Sequence, residues 1–310
     1  MSVGTRVAHY LSVRDLSAKE TLNVLELAVE LKRERAEAVA NRRLAGKTLD
    51  MIFQKPSLRT RVSFEAGMTQ LGGHAIYLGP ADIKLGERET VEDVALTLCR
   101  MADLVMARVF GHEIVEDLAR HSSVPVINGL SDREHPCQIL ADLLTVYERK
   151  RRLEGVHAVF VGDGNNVAHS FVLGAALMGM HCAVITPRGF EPKAEVLEQA
   201  AAMAKSSGAK IQVSNDVEAA RGAEVVYTDV WASMGQEAEA ERRRTLFRPY
   251  QVNEAFMARA SRDAIVLHCL PAHYGEEIEY ATSRRGGSAI FDQAENRLHA
   301  QKALMVKLAG

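Results

Sequence analysis

With 310 residues, 47% hydrophobic and 25% charged, the chain has the balance of an ordinary globular protein, and its length suits about two domains. Lysine and arginine number 38 against 40 aspartate and glutamate, and a formal net charge of −2 argues against a nucleic-acid partner or an anionic membrane surface. Cys99, Cys137, Cys182 and Cys269 stand far apart with no CxxC pair and no Cys/His ligand spacing, which argues against a disulfide framework or structural zinc and for a reducing, cytoplasmic setting.

Near the start, Arg6, Arg14 and Asp15 interrupt any apolar signal-peptide core. A first helix is predicted over 17–45, where Ser17 and Glu20 have capping-box spacing and Leu22, Val24, Leu25, Ala28 and Leu31 form an apolar stripe. Strands are then predicted over 48–53, 74–78, 103–109 and 124–127, with helical patterns over 57–71, 90–101, 112–121 and 136–150. After the basic stretch 149–152 and Gly155 the rhythm restarts, with strands over 156–161, 181–186, 210–213, 224–227 and 264–267. Residues 165–187 carry no Asp, Glu, Lys or Arg, yet Asn165, Asn166, His169, Ser170 and His181, with Gly174 and Gly179, make them a buried helix and strand rather than a membrane span. This alternation predicts an α/β fold of two lobes, each a mostly parallel sheet flanked by helices, divided near residue 150. Ligands in such folds bind outside the carboxyl ends of the strands, so the loops there are where chemistry is expected.

Seven groups of residues occupy such places. In the first, 53–61, Ser57 and Thr60 with Arg59 and Arg61 surround a helix start marked by Pro56. Free N–H groups there favour an anion, and two arginines in a first turn oppose the helix dipole unless an anion is bound. Arg108 is a charge inside an apolar strand and needs a partner, structural or ligand. His135 and Gln138, three apart in 131–138, can share one face; as surface residues of a helix start they would be inert. Gly162 and Gly164 suggest a dinucleotide loop, but Val167 stands at the third glycine position and no acid follows at the right distance. Asn166 could instead hold a carboxylate. Asp229 with Ser233, directly after a strand, offers the acceptors an α-ammonium needs, although alone they are an ordinary turn. Cys269, in the His268–Pro271 run, is either a reactive thiol or a buried inert one. Arg297 opens the closing helix, pointing either into a crevice or into solvent.

Taken in order, the seven resemble the carbamoyltransferases over essentially the whole chain. Ser57 to Arg61 match the family's Ser-x-Arg-Thr-Arg; Asp229 to Gly235 and His268 to Pro271 match the Asp-x-x-x-Ser-Met-Gly and His-Cys-Leu-Pro runs of its ornithine-type branch. Glu295 to Gln301 are also family-like. The resemblance implies a carbamoyl phosphate-binding domain over 1–150, an ornithine-binding domain over 151–290 and a C-terminal helix, 291–310, returning to the first. It implies direct attack of the L-ornithine amine on carbamoyl phosphate to give L-citrulline and phosphate, with no cofactor, no metal and no covalent intermediate. It assigns Ser57, Leu58, Arg59, Thr60, Lys84, Arg108, His135, Gln138, Cys269, Leu270 and Arg297 to carbamoyl phosphate. Leu130, Asn166, Asp229, Ser233 and Met234 go to ornithine, and Arg59, Arg108, His135 and Cys269 carry the catalytic roles. It further implies a cis Leu270–Pro271 bond, a homotrimer or multiple of trimers, and no nucleic-acid or membrane partner; the charged stretch 235–248 beside Ser-Met-Gly is expected to be a mobile cover that excludes water. Two residues depart from the family pattern. Lys84 stands where glutamine is common, in a loop expected to reach a neighbouring subunit, and Tyr274 stands where arginine is frequent. Other readings are a sister enzyme acting on putrescine or N-acetylornithine, a nicotinamide-dependent oxidoreductase, and a non-catalytic scaffold.

Overall fold

The computed structural model describes residues 8–232 and 239–310, with nothing stated for the side chain of residue 240. Two compact units emerge: the chain up to Ala141 with Arg297–Gly310, and Asp142–Asn296.

The first unit opens with α1 (Ala18–Ala36), where the Ser17 side chain accepts the Glu20 N–H and the Glu20 side chain accepts the Ser17 N–H. Val24, Leu25, Ala28 and Leu31 are the buried stripe. The helix ends at Ala36, well before residue 45, because Glu37 N–H closes on Arg33 and Ala38 turns left-handed at φ +54. There follow β1 (Thr48–Phe53), α2 (Leu58–Gln70), β2 (His74–Leu78), α3 (Pro80–Ile83), α4 (Val91–Leu98), β3 (Leu104–Arg108), α5 (His112–His121) and β4 (Val126–Leu130). The sheet order is β2-β1-β3-β4 with every pair parallel. β4 begins later than predicted and runs through Asn128 and Gly129. Polar Asn128 argues against a strand in sequence, but its buried side chain donates to Leu11 O at 2.9 Å. A register shift at Ala107/Arg108 sets Arg108 beside Leu130, so both lie at the carboxyl edge.

α6 (Pro136–Lys150) begins in the first unit and ends in the second. The second unit continues with β5 (His157–Val161), α7 (Asn166–Leu177), β6 (His181–Ile185), α8 (Ala194–Ser207), β7 (Ile211–Ser214), β8 (Val225–Thr228), α9 (Ala240–Phe247), α10 (Glu254–Met257), β9 (Ile265–His268) and α11 (Tyr280–Ser283). α12 (Ile290–Ala309) starts here and returns the chain to the first unit. The order β7-β6-β5-β8-β9 is again all parallel. The uncharged stretch 165–187 is α7 and β6; among the described residues no helix is long and apolar enough to cross a membrane. Each sheet contributes aliphatic residues to a core: Ile52, Val105 and Ala107 in the first unit, joined by Val115 of α5, and Val159, Val161, Val226 and Val266 in the second.

Among the buried polar residues, one acid sits inside a strand of the first sheet. Asp50, in the middle of β1, is 3% exposed, and burial pushes its carboxyl from 3.8 up to about 6. A raised folded-state value costs stability above about pH 6 and nothing below about pH 4, a difference of up to roughly 3 kcal/mol. Asp50→Asn is therefore expected to gain stability relative to the parent at pH 8 and to lose that gain by pH 4. Urea melts at the two pH values check this, and an offset independent of pH would sink it.

Candidate active site

In the first unit the carboxyl edge of the sheet carries a dense group of cations. Ser57 caps α2 by accepting the Thr60 N–H, which directs the first turn of the helix and its unpaired N–H groups toward this edge. Thr60 is fully buried, and its hydroxyl accepts Nη2 of Arg297 at 2.7 Å and Nη1 of Arg108 at 3.5 Å. Thus residues 60, 108 and 297, each from a different element, converge on one oxygen. His135, 4% exposed, ends the loop after β4, and Gln138, 1% exposed, lies one turn into α6 with its N–H on the His135 carbonyl. Burial first, then the charges of Arg297, Arg108, Lys55 and Arg59, hold the His135 imidazole well below its usual range. The ring is neutral at physiological pH and keeps one N–H to donate.

Four cations act on His135, with Asp132 opposing at Lys55. Buried like charges gathered in this way favour an anion. Lys55, inside the 53–61 run but given no role in it, belongs to the group. Its ammonium lies 5.0 Å from the Phe110 ring centroid, and burial and Arg108 lower it to about 8, with Asp132 opposing. Its place two residues before Ser57, in the same strand-to-helix loop, was the available signal.

Two expected donors lie elsewhere within the unit. Arg61 turns to Glu65 at 3.1 Å and stacks over Tyr77 at 3.9 Å from its centroid, which resolves its conflict with the dipole without a ligand. Lys84 is exposed at the left-handed end of α3, φ +47. Leu58 is exposed, and Leu130 is half-buried at the end of β4.

In the second unit a chain of polar groups crosses the carboxyl ends of β5, β8 and β9. Asp229, 7% exposed, accepts the Cys269 thiol at 3.0 Å on Oδ1 and Nδ2 of Asn165 at 2.9 Å on Oδ2. Asn165 caps α7 at the same time, its Oδ1 accepting the N–H groups of Val167 and Ala168. Sequence reasoning chose Asn166 and passed over Asn165; the N-cap preference for asparagine was the missed signal. Asn166 is the first residue of α7, half-buried. Leu270 has φ +58 and is followed by a cis bond to Pro271, and its N–H donates to Nδ1 of His268 at 2.8 Å. Nδ1 therefore accepts, so the ring proton is on Nε2, which donates to Glu277 at 3.0 Å. Asp229, His268 and Cys269 offer donor atoms within 4.8 Å of one another, but both nitrogens of His268 are committed, so the set is poorly suited to a metal.

Ser233, Met234 and Gly235 lie outside the described residues, as does the rest of 233–238. The described remainder of the expected cover, 239–248, includes α9. Arg243 of α9, 7% exposed, pairs with Asp163 at 3.0 Å and donates to Trp231 O at 2.9 Å, and Phe247 is fully buried.

The family model for the carbamoyl-P binding domain of aspartate/ornithine carbamoyltransferases matches residues 8–148, and the model for the Asp/Orn binding domain matches 154–308. The chain is 54% identical over 300 residues to an ornithine carbamoyltransferase of Anoxybacillus flavithermus, covering 96% of each. It is 50% identical over 301 residues to the anabolic ornithine carbamoyltransferase of Pyrococcus furiosus, covering 97% of this chain and 96% of the other. The solved ornithine carbamoyltransferase of Pyrococcus furiosus superposes with a TM-score of 0.96 at 49% identity, covering 99% of both chains.

Proposed function

The chain belongs to the aspartate/ornithine carbamoyltransferase family, and from that premise we propose that it transfers the carbamoyl group of carbamoyl phosphate to the δ-amine of L-ornithine, giving L-citrulline and phosphate. The observation that carries this reading is the convergence of Arg108 and Arg297 on the buried Thr60 hydroxyl, with a buried His135 on which both also act. It suits a donor with a doubly charged phosphate and an adjacent carbonyl.

In this reading Ser57, Leu58, Arg59 and Thr60 receive the phosphate with side chains and the N–H groups of the α2 start, and Arg108 and Arg297 add charge. Lys55 adds a further cation. The N–H of neutral His135 and the Arg108 guanidinium polarise the carbonyl, and Gln138 takes the carbamoyl amide; fixed donors aimed at a developing oxyanion are typically worth about 2.7–4 kcal/mol each. Cys269 and Leu270 complete the donor's surroundings. Asn166 holds the ornithine carboxylate, Asp229, Ser233 and Met234 hold the α-amino end, and Leu130 lines the aliphatic chain. The unprotonated δ-amine attacks the carbonyl carbon, the C–O bond to phosphate breaks, and the amine proton leaves to the phosphate or to the Cys269–Asp229 pair. These groups suffice without a metal or cofactor, since alignment of two bound reactants removes most of the entropic barrier.

Lys84, exposed on its own unit, would act in a neighbouring copy, which supports a homotrimer or multiple of trimers; the cytoplasm is the matching compartment. The domain roles follow: donor binding by the first unit, amino-acid binding by the second. A citrulline assay with ornithine, putrescine and N-acetylornithine side by side tests the acceptor. Product from ornithine alone is expected; equal or greater product from either other amine would overturn the assignment.

A further inference from the structure

The segment before α1 is tied to the loop that presents His135. Tyr10 pairs in parallel with Ile127 of β4, donating its N–H to Val126 O at 2.9 Å and accepting the Asn128 N–H at 2.8 Å. Beyond it, Ser12 Oγ donates to Oε1 of Glu134 at 2.6 Å and Val13 N–H donates to Oε2 at 3.0 Å. Nδ2 of Asn128 adds a second link, donating to Leu11 O at 2.9 Å and to Ser131 Oγ at 3.3 Å. Glu134 is 1% exposed, so its carboxylate stays in place only while such donors meet it. Burial pushes its carboxyl up, against the downward pull of Ser12 and Val13.

His135 is the next residue. Its backbone is fixed on one side by the 131–134 turn, where Ser131 N–H reaches Glu134 O at 2.9 Å, and on the other by the start of α6, where Gln138 N–H reaches His135 O at 3.0 Å. A buried glutamate held by groups more than a hundred residues earlier is costly if its only product is a loop conformation, because an apolar residue would pack there at less desolvation cost.

We propose that Glu134, gripped by Ser12 and Val13, is a positioning residue that fixes the direction of the His135 imidazole toward the carbamoyl oxygen; this rests on the role given to His135 above. The effect of losing it falls on the transition state, since a displacement of about 1 Å in an oriented donor costs up to about 100-fold.

The test uses the full chain with Glu134→Ala, Glu134→Gln and Ser12→Ala, reading kcat and both KM values per folded enzyme and the ring signals of His135 by NMR. Glu134→Ala is expected to lower kcat by about 10- to 100-fold with the ornithine KM within about twofold. Ser12→Ala, which keeps the Val13 contact, should move kcat the same way by less, and should add nothing further in the Glu134→Ala background. Glu134→Gln should recover most of the rate, because its amide can accept from Val13 and donate to the Ser12 hydroxyl. Should Glu134→Ala fold poorly, Ser12→Ala decides by itself. Parental kcat per folded enzyme with unmoved His135 signals would overturn the proposal. His135→Asn separates the two ideas: parental turnover in that variant removes the imidazole's role itself, whereas its loss beside full activity in Ser12→Ala and Glu134→Ala removes only the strap's.

Discussion

Arg108→Gln is expected to reduce kcat/KM for carbamoyl phosphate by roughly 10²- to 10³-fold, the cost of removing one oriented donor from a developing oxyanion. The guanidinium is 8% exposed and reaches the same Thr60 hydroxyl as Arg297, so it sits where water does not screen it. The loss should appear in both kcat and the carbamoyl phosphate KM, with the ornithine KM at saturating donor little changed. A pH signature accompanies it. Burial and then the surrounding cations, Arg297 before Arg108, depress His135, so the parent enzyme should show no acid limb at the ordinary imidazole value. Removing one cation lets the imidazole protonate at higher pH, so the limb in the variant moves upward toward 6.5. Rate profiles from pH 5 to 8 decide it. A variant with parental kcat/KM, or one whose acid limb moves down, contradicts the arrangement.

Asp229→Asn is the complementary experiment, and its loss is expected on the amino acid alone. Asp229 accepts from Cys269 and from Asn165, so an amide can retain part of that geometry while the negative charge disappears. A hydrogen bond to a charged group is worth about 1.5–3 kcal/mol, so the ornithine KM should rise roughly 10- to 100-fold. Carbamoyl phosphate binding, measured directly by calorimetry without ornithine, should remain within about twofold. Equal weakening of both ligands would show that Asp229 holds the fold of the second unit rather than the substrate. Cys269→Ser in parallel reports on the thiol, whose proton points at Asp229 Oδ1.

The order of elements was legible because local physics writes it. Ser17 and Glu20 close a cap by themselves, and short β-branched runs between amphipathic stretches leave a parallel sheet as the simplest burial. The family-specific runs at 57–61, 229–235 and 268–271 were legible for another reason: each gathers several chemically distinctive residues within a few positions of the sequence. Where reading fell short, side-chain contacts decided. The fourth strand runs on past residue 127 because Leu11 and Ser131 meet the Asn128 amide. Arg61 is a candidate phosphate donor until Glu65, one helical turn on, and Tyr77 take it.

What the amino-acid order determined by itself, then, was the α/β architecture, the places where loops follow strands, and the family these loops resemble. Tertiary structure alone decided how the charges work on one another. Arg108 and Arg297 lie far apart in the chain, yet both reach Thr60; Lys55 joins them in acting on His135; Glu134 is held by Ser12 from far earlier in the chain. Hydrophobic periodicity acts over a few residues and survives in one dimension, whereas desolvation and Coulomb energy depend on distance in space. The neutrality of His135 is a property of that packing and of no segment of the sequence.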